Sequence, residues 1–405
     1  MIALFAVTAA GRRAADEVAA ALGASRRELA ELAQLWPELD AAVFFLATGA
    51  TVRLVAPLLA DKRADPGVVC VDEARRFAVA LTGGHEGGAN ALATRVAGVL
   101  GAQAVVTTAS DAAGAPGVDE LAALLDAQVV GDAAAAGVAL LDGTAEVANP
   151  LGFPLPALGA EADRPGGSGA ARVLVSDLVE DATVRIVPRT LVVGIGSARG
   201  VPASAVSEVL RRVADEHRLD LRAVRAYASV DLKADEAGIL AAIAPAPLLT
   251  YPAEVLAAVD VPNPSEVVRA EVGTASVAEA AALHAAAELG GGAVVELVAP
   301  KAKGENVTVA VARIRPRGRL AIIGLGPGAE DLRAPRAAAE LRRASVVVGL
   351  DQYVEQVRHL LRPSTQVHAS GLGEEEQRAA DAAALAGKGH AVALIGSGDA
   401  GIYGM

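Results

Sequence analysis

The sequence predicts an α/β protein of several βαβ-type domains with mainly parallel sheets. Short apolar, β-rich runs recur along the whole chain, at Ala42–Leu46, Val68–Val71, Ala104–Thr107, Leu191–Gly194, Val294–Val298, Leu320–Gly324 and Val392–Ile395. Ala-rich stretches of helical composition lie between them, such as Asn90–Leu100, Ser204–Glu216 and Val277–Glu288. Strands alternating with helices imply βαβ units. At 405 residues the chain is long enough for two to four domains.

Composition excludes several classes of function. The chain is 53% hydrophobic and 21% charged, which rules against disorder. Only 2% is aromatic, so the cores must rely on close backbone approach between Ala, Val and Leu. The net charge of -12 comes with no cluster of Lys and Arg among aromatics, and nucleic acid is not expected as a partner. Cys70 stands alone, which excludes internal disulfides and cysteine-based zinc clusters and fits a reducing cytoplasm. It reads as a small buried filler. The apolar start, Met1–Val7, reads as a first strand because Arg12 and Arg13 follow it rather than precede it. No run suits a membrane span.

Two stretches read as boundaries. Residues 148–170 are rich in Pro, Gly and Ala and are expected to form a loop or a poorly packed insertion. Arg313–Gly318 reads as a short basic hinge before a fresh strand. A domain opening at residue 319 and stopping at 405 has too few strands for a complete doubly wound unit, so a truncated domain is expected.

Five groups of residues are candidates for chemistry. In the first, Thr48-Gly49-Ala50 precedes Arg53, and Lys62 and Arg63 follow. A helix N-terminus there would offer N–H groups to an anion, and the three cations could hold carboxylates; the alternative is a solvated charge cluster. In the second, Gly83, Gly84, Gly87 and Gly88 flank His85 and Glu86. Glycine lets a ligand approach the backbone closely, and a loop histidine is suited to proton transfer near neutral pH, with Glu86 to orient it; the alternative is an exposed turn. In the third, Thr107-Thr108-Ala109-Ser110-Asp111 follows an apolar run, and Asp111 is either a cleft residue beside His85 or a helix cap.

The fourth is Gly194-Ile195-Gly196-Ser197-Ala198-Arg199-Gly200, with Ser229–Glu236 and Lys301–Asn306 as companions; Lys233, Lys301 and Lys303 are among the few lysines. Anion binding and solvated loops both remain open. The fifth pairs Gly324-Leu325-Gly326-Pro327-Gly328 with Gly396-Ser397-Gly398-Asp399-Ala400-Gly401, each closing a β-run, as two walls of a small-molecule pocket.

These residues carry a family resemblance. TGATVRLVAPLLADKRADPGVVCVDE, TGGHEGGANALATRVAGVLGA and VVTTASD, between Thr48 and Asp111, resemble the N-terminal module of the anaerobic cobalamin-pathway CbiG family, the cobalt-precorrin-5A hydrolases. VVGIGSARG, SVDLKADEAGI, VPNPSEVV, VGTASVAEAAAL and KAKGENVTVAVA, within Leu191–Arg313, resemble that family's C-terminal domain. From Gly318 on, GLGPG, ASVVVGLDQYV and SGDAGIYGM are similar to precorrin-3B C(17)-methyltransferase, of the tetrapyrrole methylase family. Two departures stand out. Ser197-Ala198-Arg199 replaces the family's frequent Cys-Arg, which excludes a catalytic thiol there, and Asp399-Ala400 replaces the methylase family's usual Asp-Pro.

The resemblance implies a hydrolase N-terminal module over 1–124, a variable middle module over 125–188, a hydrolase C-terminal domain over 189–316 and the first subdomain of a tetrapyrrole methylase over 317–405. It implies corrin-ring biosynthesis: hydrolysis of the cobalt-precorrin-5A lactone with release of acetaldehyde. The rival is a non-catalytic carrier or scaffold for corrinoid intermediates; a generic nucleotide-binding protein ranks below both. His85, assisted by Glu86 or Asp111, is expected to transfer protons, and Arg53, Lys62, Arg63 and Lys233 to hold peripheral carboxylates. Gly326, Pro327, Gly328, Ser397, Gly398, Asp399 and Ile402 match positions that bind S-adenosylmethionine in the methylase family. Cobalt arrives as part of the substrate, and no metal is expected to be held by the protein. Cobalt-precorrin intermediates are the expected partners, other enzymes of the pathway are candidates, and a homo-oligomer is expected.

Overall fold

The computed structural model describes residues 1–61, 64–84, 87–107, 115–158 and 171–401, apart from the side chains of Val267, Glu271 and Asp331. The chain forms two units, residues 1–114 and 115–405.

The first unit is built on one six-stranded sheet. Its strands are β1 (Ile2–Ala6), β2 (Ser25–Arg27), β3 (Ala41–Phe45), β4 (Gly67–Val71), β5 (Phe77–Thr82) and β6 (Gln103–Val105), in the order β2-β1-β3-β4-β5-β6. The first four run parallel. β5 is antiparallel to β4, and β6 runs with β5. β3 and β4 are buried along their whole length, as covering of both faces requires. Phe5 and Phe44 stack at 5.0 Å on one face. Helix Ala9–Leu22 covers the other, capped at its start by Thr8 and closed by Gly23 in the left-handed conformation. Cys70 is buried and donates to the Leu46 carbonyl at 3.0 Å.

The second unit holds three sheets. β7 (Ala127–Gly131), β8 (Ala145–Ala148), β9 (Ala171–Val175) and β10 (Val184–Pro188) form the first, ordered β7-β10-β9-β8, with only β7 antiparallel. Residues 149–158 are irregular, yet Phe153, Leu155 and Leu158 belong to its core. This part of the expected poorly packed insertion is therefore packed, because its apolar side chains alternate with turn residues and fold back onto the sheet.

β11 (Leu191–Ser197), β12 (Val224–Val230), β13 (Leu248–Tyr251), β14 (Val295–Lys303) and β15 (Val307–Ile314) form the next, ordered β13-β12-β11-β15-β14. β11, β12 and β13 are parallel, and the β14–β15 hairpin closes the sheet antiparallel to β11. Helix Ala203–Glu216 lays Val206, Val209, Leu210 and Val213 on one face. Helix Val277–Gly290 covers the other and buries alanines on nearly every side, as a helix enclosed all round must. Gly194 makes that approach possible: a Cβ there would lie 1.8 Å from the Ala278 carbonyl oxygen. The last sheet, β16 (Arg319–Gly324), β17 (Val346–Leu350), β18 (Gln366–Ser370) and β19 (Ala391–Gly396), is entirely parallel in the order β16-β19-β17-β18.

The stretch read as a basic hinge begins inside β15. Arg313 is buried and grips Asp177 through Nε at 2.6 Å and a terminal guanidinium nitrogen at 2.8 Å. Asp177 also accepts from Thr190 Oγ1 at 2.6 Å, and Arg313 donates to Glu296 at 2.6 Å. Arg313 thus clamps the segment after β9 to the hairpin; only residues 315–318 are irregular.

A second clamp centres on Asp220, which accepts from Arg185 at 2.7 Å and from Arg222 Nε at 2.8 Å. Burial opposes its ionisation, but the hydrogen bonds from Arg222 and the charges of Arg222 and Arg185 outweigh it and hold the carboxyl below its usual range. A depressed carboxyl contributes stability that is complete above the ordinary value of 3.8 and is lost as pH falls through the lower folded value. Asp220→Asn should therefore be less stable than the parent at neutral pH and approach it in acid. Urea midpoints measured from pH 7 down to pH about 2 check this; a constant gap would remove the charge from the explanation.

Candidate functional site

In the first unit the helix that carries Arg53 and the described part of the glycine-rich loop leave the sheet at opposite edges. Helix Thr48–Val55 starts at the C-terminal end of β3, and exposed Arg53 reaches back to the Gly49 carbonyl at 3.5 Å. The glycine-rich loop after β5 leaves the opposite edge, because β5 is antiparallel to β4. Five residues of parallel strand separate the two edges, about 16 Å. Arg53 therefore stands apart from the edge that carries the loop. β6 is parallel to β5, so it ends at the loop's edge.

The loop glycines have a packing role. A Cβ on Gly67, at the start of β4, would lie 2.1 Å from the Gly87 carbonyl oxygen, and one on Gly87 would lie 2.7 Å from the Gly67 nitrogen. The amides of Ala89 and Asn90 close the loop onto the carbonyls of Gly83 and Gly84 at 3.0 and 3.1 Å. Glycine here serves the meeting of two backbone segments, which the sequence pattern alone read as room for a ligand. His85, Glu86, Asp111, Lys62, Arg63 and Ile402 lie outside the described residues.

In the second unit the parallel strands β11 and β12 end side by side, at the edge where open α/β sheets bind ligands. The loop after β11 is fixed on two sides. Ala198 donates to the Asn306 carbonyl at 2.9 Å, and Gly200 donates to Glu236 Oε1 at 2.9 Å. Arg199 pairs with Asp235 at 2.5 Å. Lys233 Nζ stands 3.8 Å from Glu236 Oε2. Burial, and secondarily Arg199, lower the Lys233 pKa from 10.5 against the opposing pull of Glu236 and Asp235.

A buried carboxylate, Glu279, organises the same domain. It accepts from the Asn263 backbone at 3.1 Å, the Asn263 amide at 2.7 Å and the Lys301 backbone at 3.0 Å, while Lys301 Nζ donates to the Asn263 carbonyl at 2.6 Å. Sequence reasoning singled out neither Glu236 nor Glu279 as a site residue. The signal for Glu279 was a lone acid in an otherwise apolar first stretch of helix.

In the last sheet, β16 and β19 are adjacent, and the two Gly-rich loops meet beyond them. Gly326 and Gly398 exchange reciprocal backbone hydrogen bonds of 3.0 Å. Asp399 accepts from Gly401 at 2.8 Å, while Pro327, Gly328 and Ser397 are exposed beside them. The structure thus brings the described members of the fifth group together.

Among the described residues no helix is long and apolar enough to cross a membrane. Residues 30–111 match the Cobalamin synthesis G N-terminal family model, 191–312 the Cobalamin synthesis G C-terminus model, and 319–405 the Tetrapyrrole (Corrin/Porphyrin) Methylases model. The cobalt-precorrin-5A hydrolase of Salmonella typhimurium is 33% identical over 278 residues, covering 62% of this chain and 77% of that protein. The cobalt-precorrin-5A hydrolase of Priestia megaterium is 27% identical over 311 residues, 70% of this chain and 81% of that protein. A probable cobalt-factor III C(17)-methyltransferase of Salmonella typhimurium is 44% identical over 89 residues, 21% of this chain and 35% of that protein, so the chain spans about a third of its length. The chain belongs to the cobalt-precorrin-5A hydrolase family of cobalamin biosynthesis enzymes and carries a tetrapyrrole methylase segment after its hydrolase domains.

Proposed function

We propose that the protein hydrolyses the lactone of cobalt-precorrin-5A in the cytoplasm and releases acetaldehyde. The observation that carries this reading is the extended match to a cobalt-precorrin-5A hydrolase across 77% of that protein's length. Lactone opening consumes one water: its oxygen adds to the acyl carbon, the ring C–O bond breaks, and the departing alkoxide takes a proton. The freed hydroxyl then gives its proton to a base, its carbon leaves with the attached methyl as acetaldehyde, and the electron pair of the broken C–C bond passes into the cobalt macrocycle, which belongs to the substrate.

His85 is the proposed proton-transfer residue, with Glu86 or Asp111 assisting. The support for this reading is the glycine-rich sequence around His85, flanked by backbone hydrogen bonds from Ala89 to Gly83 and from Asn90 to Gly84. Arg53, Lys62, Arg63 and Lys233 are the proposed holders of peripheral carboxylates. The division at residues 124, 188 and 316 and a homo-oligomeric state belong to the same reading.

For the methylase segment, S-adenosylmethionine would supply the methyl group. The paired loops suit such a ligand because Gly326 and Gly398 fix each other and leave Pro327, Gly328 and Ser397 exposed at the strand ends. With Asp399, they are the described residues proposed to hold it.

The test is anaerobic incubation of the purified chain with cobalt-precorrin-5A, trapping acetaldehyde and weighing the corrinoid product by mass spectrometry. Turnover is expected, and His85→Ala should reduce it by about 10²- to 10⁴-fold. Substrate that stays bound but unchanged would replace the hydrolase by the carrier reading. Full turnover in His85→Ala would move the proton-transfer role elsewhere.

A further inference from the structure

We infer that Lys233, Arg199 and the Ser197 hydroxyl form a receptor for one carboxylate arm of the substrate, and that Glu236, buried behind them, is the residue that positions it. The inference deepens the hydrolase reading and rests on it for the identity of the molecule that carries the arm.

The placement follows from the sheet. β11 and β12 are adjacent and parallel, so their ends deliver Ser197–Gly200 and Asp231–Glu236 to one edge. Gly200 and Arg199 then bind Glu236 and Asp235, which fixes the two loops against each other.

The polar groups at this edge are left incomplete by one another. The Lys233 side chain is only 14% exposed, and its ammonium has no hydrogen-bond acceptor among the described residues; Glu236 Oε2, at 3.8 Å, is too far. Glu236 is 3% exposed, and its Oε2 accepts no hydrogen bond from the described residues. The Ser197 hydroxyl is buried without a hydrogen-bond partner among the described residues as well. Buried polar atoms normally have partners, so a cluster that lacks them points to a ligand.

The charges fit a single carboxylate. Glu236 lies 3.8 Å from Lys233 and 3.9 Å from Arg199, close enough to hold both cations by charge and too far to use their donors. Among the described residues Asp235 is the hydrogen-bond partner of the Arg199 side chain, and both are largely exposed, so a ligand carboxylate can take Asp235's place without breaking anything buried. An ammonium beside a guanidinium suits the planar acceptor of an acetate or propionate arm.

Protonation gives a signature that a merely structural role lacks. The groups facing Lys233 are Glu236, Asp235 and Arg199. Burial and Arg199 already lower its pKa, and Glu236 opposes them. Only the ammonium binds a carboxylate, so affinity must fall as pH rises through the Lys233 pKa. Removing the Glu236 charge must move that fall to lower pH.

The experiment uses the full chain and two readouts: fluorescence titration with uroporphyrin, a macrocycle with an all-carboxylate periphery, and anaerobic turnover of cobalt-precorrin-5A. Lys233→Met is expected to weaken uroporphyrin binding about tenfold or more. Lys233→Arg should restore binding and abolish its decline at alkaline pH. Glu236→Gln should raise KM by more than it lowers kcat and shift the alkaline decline downward. Unchanged uroporphyrin affinity in Lys233→Met, or an unmoved alkaline limb in Glu236→Gln, overturns the receptor. Lys233-dependent binding without acetaldehyde release would keep the receptor and remove the hydrolase reading. Turnover whose KM ignores Lys233→Met would do the reverse.

Discussion

Asp177→Ala should lower the stability of the second unit by about 3–5 kcal/mol. Asp177 is fully buried and Arg313 is 9% exposed, so the substitution strands a guanidinium away from water. Glu296 remains to Arg313, but it is half-buried and occupies a single guanidinium nitrogen. Thr190 loses its acceptor at the same time. The paired replacement Asp177→Leu with Arg313→Met should recover most of the loss, since removing both charges also removes their desolvation cost. Urea denaturation of the three variants measures this as midpoint shifts at unchanged slope. A loss below about 1 kcal/mol for Asp177→Ala would mean that water reaches the pair as it does a surface ion pair.

Gly194→Ala is the second large effect, and it comes from adding a single carbon. The new Cβ would stand 1.8 Å from the Ala278 carbonyl oxygen and 2.7 Å from the Ala282 nitrogen. Both are backbone atoms of helix Val277–Gly290, so no side chain can rotate away. The helix must lift from β11, which exposes Ala278, Ala281, Ala282 and Ala285. The cost is expected at or above the upper end of overpacking, about 3 kcal/mol. Gly137→Ala serves as the control: it lies within a helix, has nothing within 4 Å of its Cβ position, and should stabilise by about 0.5–1 kcal/mol. Thermal unfolding of the two variants beside the parent should therefore move in opposite directions. A Gly194→Ala protein with the parent's transition would show that the helix adjusts freely.

The sequence makes the strands legible and leaves their directions hidden. Ala42–Leu46 and Val68–Val71 read as strands because apolar, β-branched runs sit between turn residues, and β3 and β4 lie there. Apolar alternation says nothing about whether β5 runs with β4 or against it. That direction sends the glycine-rich loop and the Thr48 helix, which carries Arg53, to opposite edges. Arg313 is misread for a different reason. Basic residues default to solvent, and its partner Asp177 is 136 positions away, so no local pattern announces the clamp. Lys233 was legible as a cation in a loop at a strand end, but its relation to Glu236 depends on how the two loops close on each other. The meeting of Gly326 with Gly398 was legible because each follows an apolar run that ends in glycine, and parallel neighbours bring such ends together.

The seam between β11 and helix Val277–Gly290 has a mechanical consequence. Apart from Val192 and Val277 it is mostly glycine and alanine, and alanine has no rotamers to exchange. The usual way in which a core absorbs a disturbance, by side chains switching between staggered states, is largely missing where Gly194 meets the alanines of the helix. Whatever a ligand does at the end of β11 must pass through this seam as a rigid displacement of the helix or stop there. The carbonyl of Ala278 resting on Gly194 makes the seam behave as a bearing surface rather than as a cushion.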